Sequence, residues 1–133
     1  MNQDYKGIFP AGVPNDAPES RFVGQSYLNP LCTEGVFVCD VTFEPGSRNS
    51  WHIHHKGGQL LLCTAGHGFY QAWGEPAQAL KAGDVVKIPP EVKHWHGAAP
   101  DSWFEHVAIA IPAEGAETEW LEPVEPQDYE SMR

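Results

Sequence analysis

Residues 46–66 read GSRNSWHIHHKGGQLLLCTAG, and this stretch decides how the rest of the chain is read. His52 and His54 alternate, and on a strand residues two apart point to the same face, so both imidazoles can grip one ion. Gln59 follows five positions later, after a Gly57-Gly58 turn. A second glycine-led strand signal, GDVVKIPPEVKH at 83–94, ends on His94. Three imidazoles and one amide, all neutral, converging on a divalent metal is the arrangement this spacing predicts, with nitrogen–metal bonds of about 2.0–2.1 Å.

Outward from that stretch, short apolar segments alternate with turn signals. Strands are expected at 22–28, 35–43, 50–54, 59–65, 67–73, 77–81, 84–89, 94–97 and 103–111. Asn29-Pro30, Pro45-Gly46, Gly57-Gly58, Gly74-Glu75-Pro76, Pro89-Pro90 and Ala99-Pro100-Asp101 punctuate them. Even spacing without helical periodicity implies an all-β sandwich or barrel. Residues 1–21 read as an irregular arm. The tail after Pro112 reads as mostly coil, with a short helix near Pro126–Met132. His67 is expected at the surface, in a hairpin turn at Gly66-His67-Gly68. His55, pointing away from His54, belongs with Lys56 in a rim turn.

The length of 133 residues suits one domain. Eight basic against eighteen acidic residues give a formal charge of −10, which argues against nucleic-acid and anionic-membrane partners. Seven of the acids fall between Glu114 and Glu130, a stretch without Lys or Arg that reads as a solvated acidic tail. No apolar run approaches the roughly 18 residues of a membrane span. The N-terminus lacks the basic start and apolar core of a signal peptide. Cys32, Cys39 and Cys63 show no CxxC spacing, and Cys39 and Cys63 sit in apolar runs, so they read as buried and reduced. A cytoplasmic location is expected from these two features. The run VFVCDVTF at 36–43 is apolar on both faces apart from Asp40 and Thr42. Such a strand is covered on both sides, and a homodimer is therefore expected.

Three further residues are candidates for acid–base work. His96 lies two residues beyond His94 and shares its face. His106 shares a strand face with Phe104, Ala108 and Ala110, and the two alanines leave room for a substrate. An imidazole beside a dication is held neutral near pH 7, ready to accept a proton. Asp40 is the third candidate, an orienting group or acid if its strand face is the interior one.

These residues resemble the cupin family. The first stretch matches the family's first motif, glycine, five residues, His-x-His, a short spacer, an acid, six residues and glycine, except that Gln59 replaces the usual Glu. The second stretch matches the second motif, with Glu91 where Gly is usual and Ala98 where Asn is usual. The resemblance covers about residues 22–111 and implies a double-stranded β-helix, or jelly roll, with a metal between its sheets. WHIHHKGGQLLLCTAG, KAGDVV, KHWHGAAPDSWFEHVAI and EWLEPV are similar to small bacterial cupins that include manganese-dependent hydroxynitrile lyases, some relatives being associated with carboxymuconolactone decarboxylases. That narrower resemblance implies metal ligation by His52, His54, Gln59 and His94, and places His96 and His106 near the metal. This chain carries one extra residue around His55-Lys56.

Glutamine in place of glutamate leaves a divalent site at net +2 instead of +1. Such a site polarises a bound oxygen more strongly and disfavours oxidation of the metal. Lewis-acid work is therefore favoured over oxygen activation. Imidazole-rich ligation suits Mn, Fe, Co, Ni or Zn, and the resemblance points to Mn. The expected activity is Lewis-acid plus His general-base chemistry on a small polar molecule (a carbonyl compound, cyanohydrin or organic acid), with hydroxynitrile-lyase-like C–C cleavage as its concrete form. Decarboxylation or isomerisation of aromatic-degradation intermediates, metal-dependent oxygenation, and non-catalytic capture of a small ligand are the alternatives.

Overall fold

The computed structural model describes residues 7–132. The expected arm at 1–21 therefore falls partly outside the described residues. In chain order the strands are β1 (Val13–Pro14), β2 (Phe22–Val23), β3 (Ser26–Cys32), β4 (Phe37–Phe43), β5 (Arg48–Asn49), β6 (His52–His55), β7 (Gln59–Ala72), β8 (Gln78–Lys81), β9 (Val85–Ile88), β10 (His94–Ala98), β11 (Phe104–Ala110) and β12 (Glu117–Trp120), followed by a short helix α1 (Pro126–Glu130). The fold is all-β as expected, an antiparallel sheet curled into two halves. One half runs β1-β3-β4-β11-β7 with β9 on the far edge of β7. The other half runs from β7 through β10 to β5 and β2, with β6 and β12 paired beyond β10 and β8 on β7.

The long strand β7 joins the halves. Its first part pairs with β11 and β9, its second with β10 and β8. Two strands at 59–65 and 67–73 with a hairpin turn between them are thus corrected to one bent strand. Gly66 explains the difference. Its φ of 76° is open to glycine at little cost, and a Cβ there would overlap the carbonyl of Trp103. The ladder to β11 also slips between Glu105 and His106, an irregularity that turns the strand without reversing it. His67 is exposed as expected, but on a strand.

Strand alternation sorts side chains into the space between the halves. Cys39, Val41 and Phe43 from β4, Phe104 and Ala108 from β11, and Leu61 and Cys63 from β7 meet Leu80, Val86, Ile88 and Ala98 there. Cys39 and Cys63 are buried free thiols, as read from the sequence. A second cluster covers the outside of the other half, where Tyr129 of α1 packs with Trp51, Trp95 and Val124. The Tyr129 hydroxyl donates to the Ala98 carbonyl, and the Arg48 guanidinium lies 4.0 Å over the Tyr129 ring.

Two other expectations are corrected. The strand at 22–28 is two strands in different halves, β2 and β3, because Gly24 with φ 80° redirects the chain. The tail after Pro112 is mostly irregular with a short helix, as expected, but it also contributes β12, which pairs with β6 along Glu117–Trp120. Asp40 does not face the interior. Its ladder partner on β11 is Val107, whereas His106 pairs with Val41, so Asp40 and His106 lie on opposite faces of the same half. Asp40 and Thr42 are nevertheless 0% and 1% exposed. Arm residues of this same chain are tied across that outer face: the amides of Ile8 and Phe9 donate to Glu105, and Asn29 donates to the carbonyl of Pro10.

Candidate metal centre

His52 and His54 sit on β6, Gln59 opens β7, and His94 stands directly across the β10–β6 ladder from His52. The three imidazoles converge, with one ring nitrogen of each within 4.8 Å of the others. Among the described residues this is the only cluster of three or more His, Cys, Asp or Glu side chains that could hold a metal.

Each ligand histidine has a partner for Nδ1. The Ser50 carbonyl lies 2.8 Å from Nδ1 of His52, the Val92 carbonyl 2.9 Å from Nδ1 of His94, and the Thr118 hydroxyl 3.1 Å from Nδ1 of His54. A carbonyl only accepts, so Nδ1 of His52 and of His94 carries the proton, and Nε2 presents its lone pair inward. Nε2 of His94 is buried without a hydrogen-bond partner, an orphaned lone pair of the kind a metal satisfies. Nε2 of His54 lies 3.1 Å from Oε1 of Gln59. Two ligand atoms at right angles around an ion, each about 2.0–2.2 Å from it, stand about 3 Å apart. The residues present therefore fit a divalent metal held by three imidazoles and one amide oxygen.

Burial keeps these rings neutral. It drives His52 well below the ordinary histidine range, helped by neighbouring His94 and His54. Burial also lowers His54, and takes His94 down to about 4. Neutral imidazole is the form that binds a metal, so protons compete weakly near pH 7.

A cavity of about 160 Å³ opens beside this cluster. His96 and His106 both line it, and Nε2 of His106 lies 3.1 Å from Nδ1 of His96. Burial, then the neighbouring histidines, hold His96 well below its usual range; burial pushes His106 down to about 4, against the opposing pull of a backbone hydrogen bond and then of Glu105. Phe22, Leu28, Val41, Phe43 and Ala108 supply an apolar wall. No Asp, Glu, Lys or Arg is among the described residues lining the cavity, so a bound dication would dominate its electrostatics. Asp40 is not in this wall.

Three lining residues escaped the sequence reading. Asn49 accepts the main-chain N–H of His96 at 2.9 Å, which turns its amide N–H toward the His96 ring. Trp120 stacks on His52 with ring centroids 4.6 Å apart, and Thr118 holds His54. The alternation Glu117-Thr-Glu-Trp120 is a strand signature that could have flagged the last two, but their pairing with β6 spans more than 60 positions. His55 lies at the rim on β6 itself, its two ring nitrogens 2.6 Å and 2.8 Å from carboxylate oxygens of Glu91 and Glu119.

Comparisons with known proteins agree with this fold. The model of the Cupin domain family matches residues 39–107. The (R)-mandelonitrile lyase of Granulicella tundricola is 40% identical over 116 residues, covering 84% of this chain and 88% of that protein. The crystal structure of a cupin-like protein from Thermotoga maritima superposes with a TM-score of 0.86 at 43% identity, over 93% of this chain and 95% of its own. A predicted oxalate decarboxylase from the same organism superposes with a TM-score of 0.67 over 74% of this chain and 91% of its own, and at 20% identity it speaks for the fold alone.

Proposed function

The chain belongs to the cupin domain family, and from that premise we propose that it is a metal-dependent lyase that splits a small cyanohydrin into a carbonyl compound and hydrogen cyanide. The observation that carries this reading is the shared cavity. The neutral His96–His106 pair lines the same 160 Å³ space as His52, His54 and Gln59.

His52, His54, Gln59 and His94 would hold a divalent transition metal, with manganese the choice that the family resemblance favours. Bound there, the metal supplies Lewis-acid stabilisation of negative charge on substrate oxygen or cyanide. The His96–His106 pair takes the hydroxyl proton of the cyanohydrin. The O–H electron pair then forms the new carbonyl bond while the C–C electron pair departs with cyanide. The proton held by the histidines passes to cyanide and completes hydrogen cyanide. Phe22, Leu28, Val41, Phe43 and Ala108 pack the substrate's apolar substituent and exclude water. The cavity is smaller than the roughly 300–1,000 Å³ typical of drug-sized ligands, which favours a substrate of few atoms.

Incubation of manganese-loaded protein with mandelonitrile, followed by the absorbance of benzaldehyde, tests the proposal. Release well above both the metal-free protein and a His106→Ala variant is expected. Release at the level of that variant would remove the lyase reading and leave the metal centre standing.

A further inference from the structure

We infer that Thr118, on a strand outside residues 39–107, is a positioning residue that fixes the imidazole of His54 for metal binding; the inference rests on the metal-centre reading above. Two of the three ligand histidines are oriented by main-chain carbonyls two residues before them, Ser50 for His52 and Val92 for His94. Those anchors come with the strand itself, and no side-chain substitution removes them. His54 is different. Its Nδ1 meets the Thr118 hydroxyl at 3.1 Å, across 64 positions of sequence. Thr118 and His54 are direct partners in the β12–β6 ladder, so the two side chains lie on one face.

The distinction matters because a hydroxyl both donates and accepts. When Thr118 accepts, Nδ1 of His54 carries the proton and Nε2 is free beside Gln59. When Thr118 donates, the proton moves to Nε2 and His54 cannot ligate. Metal binding therefore selects the accepting arrangement. Without the hydroxyl, nothing on β12 holds the ring in that tautomer and rotamer. Loss of such outer partners typically costs about 10–100-fold in metal affinity. Thr118 is exposed, so water can partly replace it, and the lower end of that range applies.

Position adds a second consequence. His54 and Thr118 line the metal cavity and also a separate outer cleft of about 130 Å³ bordered by His55, Gly57, Ala116 and Glu117. They are the two residues that line both spaces. Loosening their hydrogen bond opens the ligand sphere to water from the cleft, so the metal should leave faster as well as bind less tightly.

The test compares wild type, Thr118→Val and Thr118→Ser, each loaded with zinc and titrated with a competing chelator, with release followed after a chelator chase. Valine keeps the shape and strand preference of threonine and lacks the hydroxyl; serine keeps the hydroxyl. Thr118→Val should bind zinc about tenfold more weakly and release it faster, Thr118→Ser should stay within threefold of wild type, and the metal-free proteins should melt alike. Thr118→Ala repeats the comparison if the valine variant does not fold. Equal affinity in wild type and Thr118→Val would overturn the inference while leaving the metal centre intact. Serine as weak as valine would overturn it too, by assigning the effect to packing. A wild-type protein that binds no zinc would remove the metal-centre reading and this inference with it.

Discussion

Nε2 of His106 lies 3.1 Å from Nδ1 of His96, so two imidazoles from neighbouring elements of opposite sheet halves share one proton along a single nitrogen–nitrogen line. One of those two nitrogens donates and the other accepts, the tautomers deciding which. The pair is buried, and both rings are held neutral by that burial. It stands beside the ligand cluster without belonging to it, since the ring nitrogens that converge are those of His52, His54 and His94.

That separation predicts a division of labour. His96→Ala and His106→Ala should retain metal and lose turnover by about 10²–10⁴-fold, the range of general acid–base catalysis. His94→Ala should lose the metal itself. Elemental analysis of the purified variants, set beside mandelonitrile turnover, separates the two outcomes; metal loss in His106→Ala would place that residue in the wrong group.

Asp40 and Glu105 make a second buried pair, on the outer face of the half that holds β4 and β11. Burial, then the hydrogen bond and charge of Glu105, push Asp40 up to about 8. Burial alone would raise Glu105 also, but hydrogen bonds from Thr64, Asp40 and the amides of Ile8 and Phe9 outweigh it and hold Glu105 below its usual value. Asp40 therefore keeps its proton near neutrality and donates it to Glu105. Because its folded pKa lies above its unfolded one, its stabilising contribution is complete below about pH 4 and is lost as pH rises through about 8. Asp40→Asn supplies a donor that never titrates. Its melting temperature should match wild type near pH 4 and exceed it increasingly as pH rises toward 9, on the order of 1.4 kcal/mol for each pH unit between the unfolded and folded pKa values. Melting curves across that range check this, and a difference independent of pH would contradict the shared proton.

Gly66 and Gly74 separate two costs of a left-handed backbone. Their φ values are 76° and 87°, so alanine is strained at either. Around Gly74 a Cβ meets nothing within 4 Å, whereas at Gly66 it would overlap the Trp103 carbonyl. Gly74→Ala should cost about 1–2 kcal/mol. Gly66→Ala should cost at least twice that, because β7 can no longer bend between the halves. Chemical denaturation of both variants measures the difference, and equal costs would show that the bend tolerates relaxation.

Much of this protein was legible along the chain. Alternation with turn punctuation gave an all-β fold, and strand parity put His52 and His54 on one face, where His94 joins them in a cluster that could hold a metal. Parity does not say which face is inside. Asp40 and His106 carry the same alternation signal, yet the β4–β11 register sends one outward and the other into the cavity. Nor does local sequence announce that a glycine bends a strand instead of ending it, as Gly66 does, or that Thr118 and Trp120 return across more than 60 residues to hold His54 and His52. Residue chemistry and short-range spacing are written in the sequence. Which distant segments pair, and therefore which side chains finish the site, is settled only when burial of the core and satisfaction of backbone hydrogen bonds choose one register over the others.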